Sequence, residues 1–285
     1  MDLKCPDFPT RIEIELSALC NLKCSYCPRH FVKGLNGFID TGLFQRIIDE
    51  AAENGTEIIV LHRRGESFLH PNFADLLTYC RGRFKEIQIA TNGTVMGECI
   101  LDALVSTLTF ISFSIDLPER MKPVRGADYR KVDANISAFL ERNDGRVTTQ
   151  VSMVRADDMT QQQCDRFIER WSERVDRVRI YEQHSSDGKF GSLRVKREGR
   201  KPCVMPFYEV LVYCDGSVGR CNHDWDGEPI GDVRGRSLLD IWHGEALTNL
   251  REQHLSLAIT DATCAACDSW YPAEKQQGTG ITVHK

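Results

Sequence analysis

A regular alternation of short β-branched runs and helical patterns constrains the fold of this chain more than any other feature of its sequence. Each run is followed by a segment whose apolar residues recur at helical spacing. Strands that alternate with helices pair in parallel through right-handed crossovers. We therefore expect a closed or partly closed α/β barrel with its chemistry at the carboxyl ends of the strands. The six predicted strands cover residues 11–17, 56–61, 85–91, 108–116, 146–154 and 176–181.

The bulk composition narrows the classes of protein to which the chain can belong. It has 285 residues, 41% hydrophobic and 27% charged, which is ordinary for a soluble globular protein with one large and one smaller domain. The net charge is -5 and the basic residues are scattered, which argues against nucleic acid as a partner. The start has no apolar run of signal-peptide length, and no stretch reaches about 18 apolar residues. We expect no membrane segment and a cytoplasmic protein.

Three of the twelve cysteines closely follow the first predicted strand. A reducing cytoplasm disfavours disulfides, so the spacing of the cysteines matters more than their number. Cys20, Cys24 and Cys27 are separated by three and then two residues. Three thiolates at this interval can wrap one face of a cubane iron–sulfur cluster and leave one iron open. The alternatives are unrelated thiols or a zinc knuckle, but zinc sites normally close with a fourth ligand nearby, and the nearest candidate is His30.

This spacing, its place after the first strand and the aromatic Tyr26 before the last cysteine resemble the radical S-adenosylmethionine superfamily. The resemblance implies a partial (β/α)6 TIM-like barrel in which Cys20, Cys24 and Cys27 hold a 4Fe-4S cluster. It also implies S-adenosylmethionine as a cofactor, chelated by the open iron and cleaved by one electron. The 5'-deoxyadenosyl radical so formed removes a hydrogen atom from the substrate. An electron donor such as flavodoxin or ferredoxin is the implied protein partner.

Further positions at the predicted strand ends resemble cofactor-binding residues of the same family. Gly65 and Glu66 stand where the family usually has Gly-Gly-Glu-Pro, although the sequence here is Arg-Gly-Glu-Ser. The resemblance implies that Glu66 binds the amino group of the cofactor. Asn92 is alternatively a turn residue, and Ser114 is alternatively a strand hydroxyl that is satisfied locally. The implied cofactor-binding residues are Tyr26, Gly65, Glu66, Asn92, Ser114, Asp116 and Arg125.

A second set of four cysteines lies toward the C-terminus. One pair flanks Asp215-Gly216, a hairpin signal, and the other pair is separated by two residues. This pattern suits a fully ligated tetrahedral metal or a cubane, and geometry alone leaves zinc and iron–sulfur equally open. The set resembles the twitch domain, the SPASM-like auxiliary-cluster module of the same family, with a spacing most similar to that of an aminocyclitol dehydrogenase. The resemblance implies a second 4Fe-4S cluster held by Cys203, Cys221, Cys264 and Cys267.

The strand–helix alternation ends after residue 181. Residues 182–201 are polar and basic and indicate a linker or surface loop. A second module follows, with a predicted hairpin over 209–213 and 217–220 and a predicted helix over 237–252. The tail after residue 271 has little core material and is expected to be loosely held. The predicted division is a core domain of residues 1–200 and an auxiliary-cluster domain of residues 201–285.

Five cysteines remain outside the two sets. Cys214 is an inert hairpin cysteine, a substitute cluster ligand, or a thiol that donates a hydrogen atom. The others stand apart or on helical faces, so we expect small buried apolar residues. These are Cys5, Cys80, Cys99 and Cys164.

Polar residues near the expected barrel mouth provide candidates for substrate chemistry. Glu182 and His184 are candidate bases for a departing proton, with solvated loop residues as the alternative. Arg63 and Arg64 either contact the substrate or form exposed ion pairs, and His62 lies beside them. The sequence alone does not distinguish a role in substrate chemistry from the alternative given for each of these residues.

The leading functional hypothesis is a radical dehydrogenase that oxidises a carbinol of a small polar molecule of the sugar or aminocyclitol type. Oxidation releases one electron beyond the abstracted hydrogen atom, and a second, fully ligated cluster is a plausible acceptor. One alternative is a radical epimerase that uses a thiol donor, and another is an enzyme that modifies a ribosomal peptide. A non-catalytic iron–sulfur or zinc protein is the alternative from a different class.

Overall fold

Six parallel strands form the core of the computed structural model, which describes residues 3–156, 158–183, 199–268, 270 and 280–285. They lie side by side in the same order as in the chain, and β1 and β6 are not paired with each other. Because residues from both β1 and β6 line one pocket, the sheet curves without closing. The predicted partial α/β barrel is confirmed. The strands are β1 (Arg11–Ile14), β2 (Ile58–Val60), β3 (Glu86–Thr91), β4 (Phe110–Ser114), β5 (Thr148–Arg155) and β6 (Arg177–Glu182).

Helices connect these strands, as the alternation in the sequence predicts. Their starts follow local capping chemistry: the carboxylate of Asp40 accepts a hydrogen bond from the Leu43 N–H at 2.8 Å, and Thr160 and Gln163 form a capping box. A π-helical turn, Met121–Arg125, continues the fourth helix directly. The helices are α1 (Thr41–Glu53), α2 (Phe73–Tyr79), α3 (Glu98–Thr107), α4 (Pro118–Arg120), α5 (Tyr129–Asn143) and α6 (Gln161–Trp171).

The two faces of the barrel strands differ in polarity. One face carries residues such as Ile12, Ile89 and Val151, which share an apolar core with residues of the helices. The opposite face carries Gln88, Ser112 and further polar residues that line the pocket inside the curve. Parallel strands that are buried on both faces are normally apolar throughout. The polar inner face therefore indicates a lumen that receives a polar ligand.

The second module extends the same sheet. Strand β7 (Glu209–Val212) pairs in parallel with β1, and β8 (Ser217–Gly219) and β9 (Gly231–Asp232) follow in antiparallel order. The predicted hairpin is confirmed. Hydrogen bonding thus continues across the predicted division between residues 200 and 201, and that division stays a prediction.

The prediction of a single helix over residues 237–252 is wrong. The structure has α7 (Leu238–Trp242) and α8 (Glu245–Ser256), and Gly244 between them is in an extended conformation. Glycine is a poor helix former, and the break turns α8 so that Arg251 donates a hydrogen bond to the Trp242 carbonyl at 2.7 Å. A short helix, α9 (Ala262–Ala266), follows.

The end of the chain is held more firmly than its composition indicates. Strand β10 (Gly280–His284) pairs antiparallel with β6, with Ile281 opposite Ile180 and Val283 opposite Val178. The expectation of a loosely held tail is therefore wrong for these residues, because a short alternating strand can use an open sheet edge. The predicted linker lies largely in residues 184–198, outside the described residues.

Two of the four isolated cysteines are buried and two are not. Cys80 and Cys164 are buried as expected, but Cys5 and Cys99 are exposed. The error arises because Cys99 lies in the first turn of α3, on its outer side, and Cys5 precedes the first strand.

Among the described residues, no helix combines the length and apolar character that crossing a bilayer requires.

Candidate active site

The three N-terminal cysteines lie in a loop beyond the carboxyl end of β1. The loop is joined to the π-helical turn by the hydrogen bond from the Ser25 N–H to the Val124 carbonyl at 2.9 Å. The three thiols are free and half-buried. Burial raises the pKa of each thiol, neighbouring thiols raise those of Cys20 and Cys24 further, and the cations Arg29 and Arg125 oppose the rise. Three thiols on one loop, with cations beside them, fit a group that binds thiolates.

Asn92 reaches the first of these cysteines from the loop after β3. Its amide nitrogen donates to the side chain of Asn21 at 2.9 Å and lies 3.9 Å from the Cys20 sulfur. Its carbonyl oxygen accepts from the Thr94 N–H at 2.9 Å, and Asn21 donates to the Thr94 hydroxyl at 2.8 Å. Asn92 thus lies beside the cysteine loop, and its predicted contact with the cofactor stays a prediction. Asn21 and Thr94 carry no motif that would have identified them in the sequence.

Glu66 is buried and joins the loops that follow β2 and β3. One carboxylate oxygen accepts from the Thr91 hydroxyl at 2.9 Å and the Phe68 N–H at 3.2 Å, and the other accepts from the Asn92 N–H at 2.7 Å. Burial raises the pKa of Glu66, and these three hydrogen bonds oppose that rise. An ionised carboxylate has about four acceptor sites, so one remains for the cofactor amino group that was predicted to bind here.

We predict that Glu66→Gln lowers the free energy of unfolding by about 1 to 3 kcal/mol. Both carboxylate oxygens accept from donors, so the amide NH2 must face a donor in either orientation. Urea unfolding measures this loss, and Glu57→Gln on the surface is the control. Binding of S-adenosylmethionine should weaken by roughly 1.5 to 3 kcal/mol, because the charge is also lost. Unchanged stability and unchanged cofactor binding in Glu66→Gln would contradict both roles.

Gly65 lies where two loops approach each other closely. A Cβ at this position would stand 2.2 Å from the Ser17 carbonyl oxygen and 2.5 Å from the Leu19 carbonyl oxygen. The next residue, Glu66, donates its N–H to the same Leu19 oxygen at 2.7 Å. Only glycine allows this approach. Gly65 therefore allows the loop after β2 to pack directly against the backbone that leads into the cysteine loop. Its predicted contact with the cofactor stays a prediction.

Arg63 and Arg64 precede Gly65, and Arg64 stands where the family usually has the first glycine of Gly-Gly-Glu-Pro. Arg64 forms a two-bond ion pair with Glu15, with both nitrogen–oxygen distances at 2.8 Å, and stacks over the Tyr213 ring at 3.8 Å. Arg63 donates to the Asn222 and Asp224 carbonyls, each at 2.6 Å. Their side chains are only 6% and 12% exposed, so the alternative of exposed ion pairs is wrong, and the alternative of a substrate contact stays a prediction. The pair connects the barrel to the segment after Cys221.

A pocket inside the barrel, which we name the lumen pocket, contains three of the predicted cofactor-binding residues. Tyr26, Ser114 and Arg125 line it near the carboxyl ends of the strands. The Arg125 guanidinium lies over the Tyr26 ring at 5.4 Å and 3.8 Å from the carboxylate of Asp116, which is fully buried. Burial raises the pKa of Asp116, and Arg125 opposes that rise. The rest of its lining includes Arg11, His62, Gln88, Ser112, Gln150, Ser152 and Arg177, of which Arg11 and Arg177 begin β1 and β6.

The sequence analysis did not identify most of these additional lining residues. His62 is the exception. A signal was present, since Ser112 and Ser114, and likewise Gln150 and Ser152, alternate with apolar residues along their strands. Such alternation identifies a polar face. It does not tell whether that face meets bulk solvent or an enclosed lumen, which depends on how the sheet curves.

The candidate catalytic residues do not line the lumen pocket where the structure describes them. Cys214 is 6% exposed, lies in the apolar core, and has a sulfur 3.8 Å from the Asn36 carbonyl oxygen. Burial raises its pKa to about 12. This placement favours the alternative of an inert hairpin cysteine. Glu182 lies 3.6 Å from Arg155 at the end of β6, and His184 lies outside the described residues.

The four C-terminal cysteines share one pocket. Cys203, Cys221, Cys264 and Cys267 all line it. Among the described residues, no three His, Cys, Asp or Glu side chains converge on one point as the ligands of a single metal ion would. The shared pocket does bring together two cysteine pairs that are far apart in the sequence.

His254 supplies an independent test of what this second pocket fits. It is 1% exposed, lines the same pocket, and its Nδ1 accepts from the Cys203 N–H at 3.3 Å. Burial lowers the pKa of His254 to about 4, so the ring is neutral and its proton is on Nε2. That Nε2 is buried, and none of the described residues forms a hydrogen bond with it. A donor left unpaired among four thiols fits a cluster whose sulfurs accept hydrogen bonds.

Comparison with known families agrees with both sites. Residues 14–159 match the radical SAM superfamily, and residues 203–268 match the iron-sulfur cluster-binding domain SPASM. Among curated relatives, the antilisterial bacteriocin subtilosin biosynthesis protein AlbA of Bacillus subtilis (strain 168) is 32% identical over 96 residues. That alignment covers 34% of this chain and 21% of AlbA. The chain covers between 21% and 46% of the first three curated relatives that it matches.

Two solved structures share the fold at low sequence identity. SuiB of Streptococcus suis, bound to its precursor peptide SuiA, has a TM-score of 0.73 and 15% identity, with 93% of this chain and 71% of SuiB covered. BtrN in complex with AdoMet and 2-DOIA has a TM-score of 0.61 and 19% identity, with 87% of this chain and 88% of BtrN covered. The similarity therefore extends over both the barrel and the second module.

Proposed function

The chain belongs to the radical SAM superfamily and carries a SPASM-type iron–sulfur domain, and on that premise we propose that it oxidises a carbinol of a small polar substrate. Its cofactors are S-adenosylmethionine and two 4Fe-4S clusters. When bound, the first cluster and S-adenosylmethionine supply the radical that removes a hydrogen atom, and the second cluster supplies an acceptor for the electron that oxidation releases. A donor such as flavodoxin or ferredoxin would provide the initiating electron.

In this proposal Cys20, Cys24 and Cys27 hold the first cluster, and Asn92 directs its amide toward the Cys20 sulfur. Glu66 binds the amino group of the cofactor and keeps the loops after β2 and β3 together. Tyr26, Ser114 and Arg125 face the lumen pocket and orient the cofactor there. The polar inner faces of the strands position the substrate and exclude bulk water.

The observation that carries the proposal is the single pocket lined by Cys203, Cys221, Cys264 and Cys267. Four cysteines are enough to ligate a cluster fully, and such a cluster suits electron transfer rather than substrate chelation. Arg63 joins the barrel to the segment that follows Cys221 through two hydrogen bonds. This connection supports direct contact between the barrel and the module that would hold the second cluster.

Modification of a ribosomal peptide is the second candidate, favoured by the similarity to SuiB in complex with SuiA and to AlbA. The similarity to BtrN over most of both chains favours a small molecule instead. Epimerisation receives less support, because Cys214 lies in the apolar core rather than in the lumen pocket.

We predict a product that is lighter than its substrate by two hydrogen atoms. Anaerobic enzyme with S-adenosylmethionine and a reductant would be incubated with a panel of sugars, sugar acids and aminocyclitols in heavy water, and product mass read. Cys221→Ala should abolish product while the first cluster still cleaves some cofactor. Its iron content should fall from about eight to about four atoms per chain. Uptake of one deuterium, dependent on Cys214, would instead indicate epimerisation.

A further inference from the structure

Four residues from neighbouring strands form one row across the floor of the lumen pocket. Ala90 pairs with Ser112, Ser112 pairs with Gln150, and Gln150 pairs with Arg177. All four line the pocket. Ser114, near the predicted cofactor site, stands two residues further along β4 than Ser112. Since a strand rises about 3.3 Å per residue, Ser112 lies about 7 Å from Ser114 along β4, toward the amino end of the strand.

Arg177 is a half-buried cation without an ion pair within the described part of the chain. Its guanidinium lies over the Phe110 ring at 4.8 Å, and its buried Nε has no hydrogen-bond partner among the residues that the structure describes. Burial lowers the pKa of Arg177. Of the other two lumen arginines, Arg11 lies 3.6 Å from Glu13 and 3.3 Å from Glu209, and Arg125 lies 3.8 Å from Asp116. Arg177 is therefore partly desolvated without the anion that usually compensates such a charge.

Gln150 presents an unpaired acceptor in the same row. It is 2% exposed, and its amide nitrogen donates to the Ser112 hydroxyl at 2.7 Å. Its side-chain oxygen is buried and has no hydrogen-bond partner in the described part of the chain. A buried acceptor left unpaired is costly, so a ligand that brings a hydroxyl donor to this oxygen gains from its position.

His62 adds a neutral donor to the pocket wall. Its Nδ1 accepts from the Ala90 N–H at 3.0 Å, so the ring proton is on Nε2. Burial, with Arg11 and Arg63, lowers its pKa to about 3, and the ring does not become a competing cation. The lumen thus offers one unpaired cation, one unpaired acceptor and one neutral donor.

We propose that Ser112, Gln150 and Arg177 form a subsite for the anionic end of the substrate, a carboxylate or phosphate with a hydroxyl beside it. The anion accepts from the Arg177 guanidinium and the hydroxyl donates to Gln150. This deepens the proposed function, on which it rests for the identity of the reacting carbon. A hydroxylated acid about one sugar ring long would reach from Arg177 toward Ser114. A cationic aminocyclitol would place like charges together and be disfavoured.

Direct binding tests this assignment with three probes that share one ring and differ in charge. D-glucuronate, D-glucose and D-glucosamine would be titrated calorimetrically into the anaerobic holoenzyme with S-adenosylmethionine and without reductant. We expect glucuronate to bind at least tenfold more tightly than glucose, and glucosamine more weakly than glucose. Glucose 6-phosphate in the same series distinguishes a phosphate site from a carboxylate site.

Two variants assign the preference to Arg177. Arg177→Met should remove the preference for glucuronate, and Arg177→Lys should retain most of it. Arg179→Met is the matched control, because Arg179 lies two residues along the same strand and donates instead to the Thr282 hydroxyl at 2.6 Å. Thermal unfolding verifies that each variant is folded.

Equal binding of the three probes, no measurable binding of any, or an intact preference in Arg177→Met would overturn the subsite. The titration needs no radical chemistry, so it can fail while carbinol oxidation stands. Conversely, selective binding of the acid without any oxidised product would retain the subsite and contradict the proposed function.

Discussion

Replacing Arg64 with methionine should lower the free energy of unfolding by about 3 to 5 kcal/mol, the loss typical of a broken buried ion pair. Arg64 bonds both carboxylate oxygens of Glu15 at 2.8 Å, and Glu15 is fully buried. Without the guanidinium, the buried Glu15 carboxylate keeps only the backbone N–H groups of Arg64 at 3.2 Å and Cys214 at 3.3 Å among its described donors. The methionine also loses the stacking on Tyr213 that the guanidinium provides.

Urea unfolding measures this loss as a lower midpoint at an unchanged slope. Arg142→Met is the matched control, since Arg142 pairs with Glu98 on the surface and such pairs contribute about 0 to 1 kcal/mol. The double variant Arg64→Met with Glu15→Gln should recover part of the stability, because the uncompensated charge is gone. A loss in Arg64→Met no larger than that in Arg142→Met would contradict the buried pair.

Gly65→Ala should destabilise the protein by about 3 kcal/mol or more and remove the iron of the first site. The added Cβ would meet the backbone oxygens of Ser17 and Leu19 at 2.2 and 2.5 Å. Backbone atoms cannot rotate away as a flexible side chain can. The loop after β2 must therefore separate from the loop that leads into Cys20, and the Glu66 N–H loses its acceptor on Leu19.

Iron analysis and urea unfolding of the reconstituted variant measure both effects. Gly235→Ala is the control, because no atom lies within 4 Å of a Cβ there and the residue is exposed. We expect that control to retain about eight irons and a stability within about 0.5 kcal/mol of the parent chain. If Gly65→Ala matched the control in both measurements, the close approach of the two loops would not matter for the cluster.

Local sequence patterns were enough to predict the α/β architecture and to identify the two sets of cysteines as candidate cluster ligands. The β-branched runs predicted β1 to β6, and the Asp215-Gly216 signal predicted the hairpin of β7 and β8. These features are short in range: periodicity, capping and ligand spacing are complete within a few residues. The spacing of Cys20, Cys24 and Cys27 likewise indicated its chemistry without any knowledge of the fold.

Only the tertiary structure decided the roles that depend on partners far along the chain. Arg64 could be exposed or buried until Glu15 and Tyr213 were placed beside it. Gly65 was identified as part of a motif, but its steric role depends on a loop that begins at Ser17. The row containing Gln150 and Arg177 exists because separate strands align in register around a curved sheet. Such juxtapositions are products of packing between distant segments, and no local pattern in the sequence encodes them.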